Sequence, residues 1–545
     1  MAGWLRGARP HALLAALCLC LYLPGIAAIP PLDRDEARFA QATRQMLETG
    51  DFLRIRFQNE ARNKKPAGIY WLQAASVAAF STADSTAMWP YRLPSLAAAT
   101  GAVLIVFGFG AALFRADPAI ADPRRAAFTA ATLLAVSLAL VAEAHIAKTD
   151  AALLACVVAG QGLLGLAYLR ARRGLTLPIS AAAGFWLAET AAILIKGPIA
   201  PGVALITAAA LSIADRDLKW LRGLRPLRGI ILLALLLAPW LIAIERATEG
   251  QFLTDSLGHD LLAKFASSQE SHGAPPLAYL VLSLATFWPG SMFLAPALIR
   301  GWRRREAPAT RFLLAWLVPA WVLIELVPTK LPHYVLPLYP ALALLAAGAI
   351  SDFTGSGAAR WAHRGVRLLW VLVTLALAAA LVILPWRFGP DGIGIGAAGA
   401  TLVLLAGLVQ SLRPSLPALV AVALAFVLTL TIVLPRLDRI WLSRSAAALV
   451  AEHAPAPGQP LVAVGYNEPS LVFLLGAGLR LETAQGAADL LGKGGEVLVS
   501  DREEAVLRQA LAGRGLTARS LGSVSGTDYS NGRRLVVTLL AVAPG

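Results

Sequence analysis

The sequence predicts an α-helical polytopic membrane protein of about thirteen transmembrane helices, with interfacial helices in its first long connection and a small C-terminal α/β domain. Three observations carry that prediction. Of 545 residues, 57% are hydrophobic and only 15% charged, against about 25% charged in soluble domains. Apolar stretches recur down to residue 435, most of them about 17 to 22 residues long, the length that crosses a hydrocarbon core. After Leu437 the pattern changes to short alternating apolar runs separated by helical ones.

The first stretch, 11–29, follows Arg6 and Arg9 and reads as a retained span. A signal peptide ending at Ala27-Ala28 is the alternative, and either reading delivers Asp33 to the outer side. The remaining stretches are 93–114, 126–143, 150–169, 177–195, 198–214, 229–245, 275–299, 312–327, 334–350, 367–385, 394–411 and 416–435. With the N-terminus inside, the even-numbered connections hold the arginines: Arg115, Arg124 and Arg125, then Arg170, Arg172 and Arg173, then 216–228, 300–311, 360–367 and Arg413. The net charge of +15 thus follows the positive-inside distribution, and nucleic acid is not expected as a partner. Cys18, Cys20 and Cys156 all lie in apolar runs, so neither a disulfide framework nor a zinc-finger spacing exists.

One outer connection breaks the charge rule. Residues 33–90 carry Arg34, Arg38, Arg44, Arg54, Arg56, Arg62, Lys64 and Lys65 on the side that should lack them. Within it, 36–48 and 69–80 place apolar residues at helical spacing and fit helices lying in the membrane interface. A second outer connection is 246–274. The expected organisation is a transmembrane module over 1–436 and an outer α/β domain over 437–545, with strands at 461–464, 497–499 and 535–542 and a helix at 503–511. An odd number of spans places that domain outside.

Charge at membrane depth is costly, so charged clusters at outer span ends are functional candidates. They are Asp33-Arg34-Asp35-Glu36-Ala37-Arg38, Arg62-Asn63-Lys64-Lys65-Pro66, the run from Glu143 through His145 and Lys148 to Asp150, Lys196-Gly197-Pro198, and Pro328-Thr329-Lys330-Leu331-Pro332-His333-Tyr334. Each has a plainer reading. Asp35, Glu36 and Arg38 suit the N-terminal turn of a helix. Lys64 and Lys65 suit headgroup anchors. Asp150 suits a helix cap, and Lys196-Gly197-Pro198 a turn. His145, His259 and His272 suit polar loop residues. Glu189 and Glu325 fall inside predicted spans and should face the bundle interior.

In their order, these pieces resemble the GT-C class of membrane-embedded lipid-phosphate-sugar transferases, in particular the lipid A aminoarabinose transferases and their protein mannosyltransferase relatives. Asp35-Glu36-Ala37-Arg38-Phe39-Ala40, followed by Met46-Leu47-Glu48-Thr49-Gly50-Asp51-Phe52, resembles the family's first-loop signature. Lys65-Pro66-Ala67-Gly68-Ile69-Tyr70-Trp71 resembles its Lys-Pro helix start. Thr149-Asp150, Lys196-Gly197-Pro198 and Lys330-Leu331-Pro332-His333-Tyr334-Val335-Leu336-Pro337 follow in family order, so the likeness covers about residues 33 to 340.

The resemblance implies an inverting transfer from an undecaprenyl- or related polyprenyl-phosphate sugar at the periplasmic face of a bacterial inner membrane. Lipid A or lipopolysaccharide core is the implied acceptor, with a secreted-protein hydroxyl as runner-up. Aminoarabinose, galacturonic acid, mannose and glucose remain open as the sugar. Asp35, Lys65 and Asp150 are the expected catalytic residues. Arg38, Arg62, Lys330, Tyr334, Glu36, His333 and Lys196 are expected to bind the donor and its phosphate. The rival is a non-catalytic lipid-sugar transporter or scaffold, but inverted repeats and broken midplane helices are not evident in the sequence. One departure stands out: the family usually has a metal-holding Glu before its Lys-Pro, and this chain has Lys64. No metal or other cofactor is therefore expected at that position; Glu60, His259 and His272 are the nearest substitutes.

Overall fold

The computed structural model describes residues 7–256, 258, 274–351, 357–389, 393–453 and 458–545, of which 357–362 are described as helix backbone only. Helices follow the apolar stretches because, in lipid, a helix satisfies every backbone polar group within its own segment. The first ten are α1 (Arg9–Tyr22), α2 (Asp35–Thr49), α3 (Gly68–Phe80), α4 (Trp89–Phe114), α5 (Pro123–Ala135), α6 (Leu138–Ala144), α7 (Asp150–Ala171), α8 (Ile179–Lys196), α9 (Ile199–Asp215) and α10 (Pro226–Ala247).

Among the described residues, nine helices are long and apolar enough to cross a membrane, or ten if α5 and α6, bent by 62°, make one span. At that bend the amide freed on Leu138 donates to the Trp288 carbonyl at 2.9 Å. The other three expected spans are helical but short or broken. Stretch 11–29 yields the 14-residue α1, and 198–214 the 17-residue α9. Stretch 275–299 divides into Ala278–Thr286, a 3-10 turn at Gly290–Phe293 and Leu294–Arg303, because Pro289 in the gap lacks an amide to continue the ladder.

The connections that the charge pattern assigns to one side do meet one another. Asp117 accepts from Arg300 at 2.8 Å, and Asp215 binds Arg311, Arg172 at 3.7 Å and the Tyr168 hydroxyl at 2.6 Å. Small residues let the helices approach. Gly110 of α4 faces Ala127 and Leu344, and Gly165 of α7 faces Phe109 and Phe312. Glu189 is buried against Gly160, and Glu325 accepts from the Leu280 amide at 3.1 Å.

Beyond the last span, β3 (Leu461–Val464), β4 (Arg480–Glu482), β5 (Gly495–Ser500), β6 (Leu516–Asp528) and β7 (Arg533–Pro544) form one sheet; a two-residue hairpin, β1 (Arg56–Phe57) and β2 (Glu60–Ala61), lies earlier in the chain. The sheet order is β4-β3-β5-β7-β6, parallel around β3 and antiparallel around β7. Alternation sends Val462, Val497 and Leu540 to one face, under Ala487 and Leu507, and Ala463, Leu498 and Leu539 to the other, under Leu442 and Leu471. This layer sits directly on the first long connection. Phe473 packs with Ala40, Val77, Met88, Tyr91 and Ala147, Arg44 donates to the Phe473 carbonyl at 3.1 Å, and Gln58 donates to that of Leu479.

Candidate active site

The site begins at the N-terminal turn of α2. Arg34 precedes it at φ 64°, a left-handed conformation unusual for a residue with a side chain, and donates to the Ser530 carbonyl. Asp35 and Glu36 occupy the first turn, where the helix dipole favours carboxylates. They diverge from there. Glu36 is 1% exposed and takes 2.8 Å bonds from Nε and Nη2 of Arg92, 2.9 Å from the Leu32 amide and 2.8 Å from the Ala147 amide. Arg92 completes the knot on the carbonyls of Ile26, Ile29 and Pro30. Glu36, expected at the donor, is instead a strut between α2, α4 and the α6–α7 junction, with both oxygens occupied. Asp35 stays exposed. Its charge acts on Lys148 and His333, and half-buried Arg38 follows three residues later, on the same side of α2.

The α6–α7 junction supplies the second wall. Lys148 Nζ lies 3.0 Å from Glu143, 3.6 Å from Asp150 and 3.3 Å from His333 Nδ1. Burial works against its ammonium, but Glu143, Asp150 and Asp35 outweigh burial and hold its pKa above the ordinary lysine range. Lys196, the last residue of α8, donates to Asp150 at 2.5 Å, and its ammonium lies 5.7 Å from the centre of the Tyr334 ring. His333 approaches Glu143 at 3.8 Å and Asp150 at 3.9 Å. Asp150, expected as catalytic, is buried, with one oxygen 3.6 Å from Lys148 and the other 2.5 Å from Lys196. It does not cap α7, since the cap position is Thr149.

The third wall is the turn before α3. Arg62 lies over the Phe39 ring at 5.1 Å and donates to the Tyr70 hydroxyl at 3.3 Å. Asn63 donates to Asp255 of the 246–274 connection at 3.1 Å. Gly68 starts α3 against the end of α8, where a Cβ would come within 2.6 Å of the Leu194 carbonyl. Half-buried Lys65 therefore precedes a helix start seated two residues from Lys196. Lys330 is half-buried and donates to the Val327 carbonyl at 2.9 Å. The Leu331 amide donates to Tyr279 at 3.1 Å.

Glu143, Lys148 and Arg92 received no role from the sequence. The first two stand in the cluster that ends at Asp150, and Arg92 is a lone charge near the start of an apolar helix. His145 spends its ring on the carbonyls of Val141 and Pro24, at 2.8 and 2.9 Å. His259 and His272 lie outside the described residues. Among the described residues, no group of three His, Cys, Asp or Glu side chains could hold a metal, and Lys64 presents an exposed ammonium where the resembled family has its Glu.

Where the sheet domain meets α2, Asp33 accepts from the Ser470 amide at 3.2 Å, and its own amide donates to the Tyr529 hydroxyl at 2.6 Å. Burial, with a smaller push from Asp528, raises Asp33 to about 6 against the Ser470 and Tyr529 bonds; burial with Asp33 and Asp528 raises Glu468 to about 7. The folded state thus holds these protons more tightly than the unfolded chain. Stability is expected to fall as pH rises from about 4 through about 7. Thermal unfolding at pH 5 and pH 8 checks this, and Asp33→Asn, which keeps an acceptor for Ser470, should flatten the difference.

No family model matches the chain. Undecaprenyl phosphate-alpha-4-amino-4-deoxy-L-arabinose arabinosyl transferase of Aeromonas salmonicida (strain A449) is 28% identical over 392 residues, covering 71% of this chain and 69% of that relative. The protein of the same name from Yersinia pestis (strain Pestoides F) is 27% identical over 365 residues, covering 63% and 59%. The crystal structure of ArnT from Cupriavidus metallidurans bound to undecaprenyl phosphate superposes with a TM-score of 0.76 over 97% of both chains, at 18% identity. The chain is a multi-pass membrane protein with this GT-C fold, and its sequence resembles the lipid-phosphate-sugar transferases.

Proposed function

We propose that this protein is an inverting glycosyltransferase that moves a sugar from an undecaprenyl- or related polyprenyl-phosphate carrier to lipid A, at the periplasmic face of a bacterial inner membrane. The observation that carries this reading is the exposed carboxylate of Asp35 beside the network of buried Lys148 and Asp150 with half-buried Lys196 and His333. The acceptor oxygen attacks the anomeric carbon opposite the phosphate. The bond from that carbon to the phosphate oxygen breaks, and polyprenyl phosphate leaves with the electron pair. Asp35 takes the acceptor hydroxyl proton, or, for an already anionic acceptor, faces the positive charge that develops on the sugar.

Charge growing on the departing phosphate needs fixed cations in a site poor in water. Lys65, Arg38, Arg62 and Lys330 are assigned to it, together with Lys196, Tyr334 and His333. Arg62 is preorganised by Phe39 and Tyr70, and Asp150 with Glu143 holds the two inner lysines in place. The transmembrane module, 1–436, supplies these groups, and the outer domain, 437–545, closes over the turn that carries Asp35. The names of the relatives favour 4-amino-4-deoxy-L-arabinose as the sugar; a uronic acid or a hexose uses the same machinery.

A mass comparison of glycolipids between a deletion strain and its parent tests this. Lipid A should lose the mass of one sugar. Unchanged lipid A with sugar missing from secreted proteins would move the acceptor to protein hydroxyls, and no change in either would overturn the proposal.

A further inference from the structure

On the flank of the sheet domain, a groove of about 350 Å³ opens between Arg387 and Phe388, at the end of the Gly357–Phe388 helix, the turn containing Arg439, and residues of β6 and β7 that include Arg534. Its floor is fixed, since a Cβ on Gly526 would meet the Arg439 carbonyl at 2.8 Å. Arg387, Arg439 and Arg534 come from three separate chain segments, and all are exposed. Among the described residues none of them is within ion-pair distance of a carboxylate. The nearest polar engagements are Arg439 donating to the Arg387 carbonyl at 3.4 Å and Arg387 stacking 5.5 Å from the Phe388 ring. Asp501 also lines the groove and offsets one of the three charges.

Three guanidinium groups drawn together with one carboxylate leave an excess positive charge that an anion would relieve, and phosphate matches the fork of an arginine. Depth decides what carries that phosphate. Arg387 sits at the end of a candidate span, and Trp386 beside it is 70% exposed, the position of an aromatic belt at the level of lipid headgroups. We propose that Arg387, Arg439 and Arg534, none of which is assigned to the candidate active site, form a binding site for the phosphate of a lipid headgroup.

The test uses the full chain in non-ionic detergent, titrated with phosphatidylglycerol, phosphatidylcholine or polyprenyl phosphate, with bound lipid counted by native mass spectrometry. Phosphatidylglycerol should bind, and Arg439→Gln with Arg534→Gln should weaken it about 10- to 30-fold. Asp501→Asn should tighten it. Binding of polyprenyl phosphate alone, lost in the same double variant, supports the phosphate site and identifies the carrier as its source. The site is disproved by unchanged binding in the double variant, or by an equal loss when Arg54→Gln with Arg56→Gln removes the same charge from the first connection.

Discussion

Replacing Asp35 with Asn should lower kcat by about 10² to 10⁴-fold, the range a positioned general base supplies, while donor binding persists. The substitution keeps the shape and removes the charge. Asp35 is exposed on α2, and the adjacent Glu36 carries the packing, so the fold has no reason to suffer. The cations assigned to the leaving phosphate remain, so affinity for the polyprenyl-phosphate sugar should change by less than about threefold, as uniform binding is separate from transition-state stabilisation. Single-turnover kinetics with saturating donor measures the chemical step directly. A rate within threefold of the parent would remove Asp35 from the chemistry.

The second large effect concerns stability. Arg92 and Glu36 are 0% and 1% exposed and joined by two 2.8 Å bonds. Arg92→Met leaves the Glu36 charge buried and is expected to cost about 3 to 5 kcal/mol. A buried pair can often be exchanged for apolar residues at little cost, but this one also satisfies five backbone groups: the carbonyls of Ile26, Ile29 and Pro30, and the amides of Leu32 and Ala147. The double variant Glu36→Leu with Arg92→Met should therefore recover only part of the loss, because each orphaned group keeps its own desolvation cost. Thermal unfolding in detergent, read for the single and double variants, separates a charge effect from a backbone one. Full recovery in the double variant would reduce the knot to its ion pair.

Much of this was legible from the chain, for a physical reason. A span must be apolar throughout, so 93–114 and 150–169 reveal α4 and α7 without knowledge of their neighbours. Charges retained against that pressure mark functional candidates, and Asp35, Asp150, Lys196 and His333 were visible on that ground. Partnerships were not visible. Arg92 meets Glu36 across 56 residues, and Ser470 meets Asp33 across 437. Neither pairing leaves a local pattern, so Glu36 looked as available as Asp35, and Asp150 as open as either. The bend between α5 and α6 has no proline or glycine to announce it. In the sheet, the apolar β3, β5 and β7 could be read directly. Strand β6 is rich in Ser, Thr and Gly and half-exposed, and β4 has three residues, so neither carries enough alternation to stand out.

The most direct measurement supplies the purified protein with a polyprenyl-phosphate sugar and lipid A, and follows both products with the anomeric configuration of the new linkage. The expected result is polyprenyl phosphate and singly glycosylated lipid A in equal amounts, joined with inverted configuration. Donor that binds but yields neither product would contradict transfer itself, and a retained configuration would contradict direct attack by the acceptor beside Asp35.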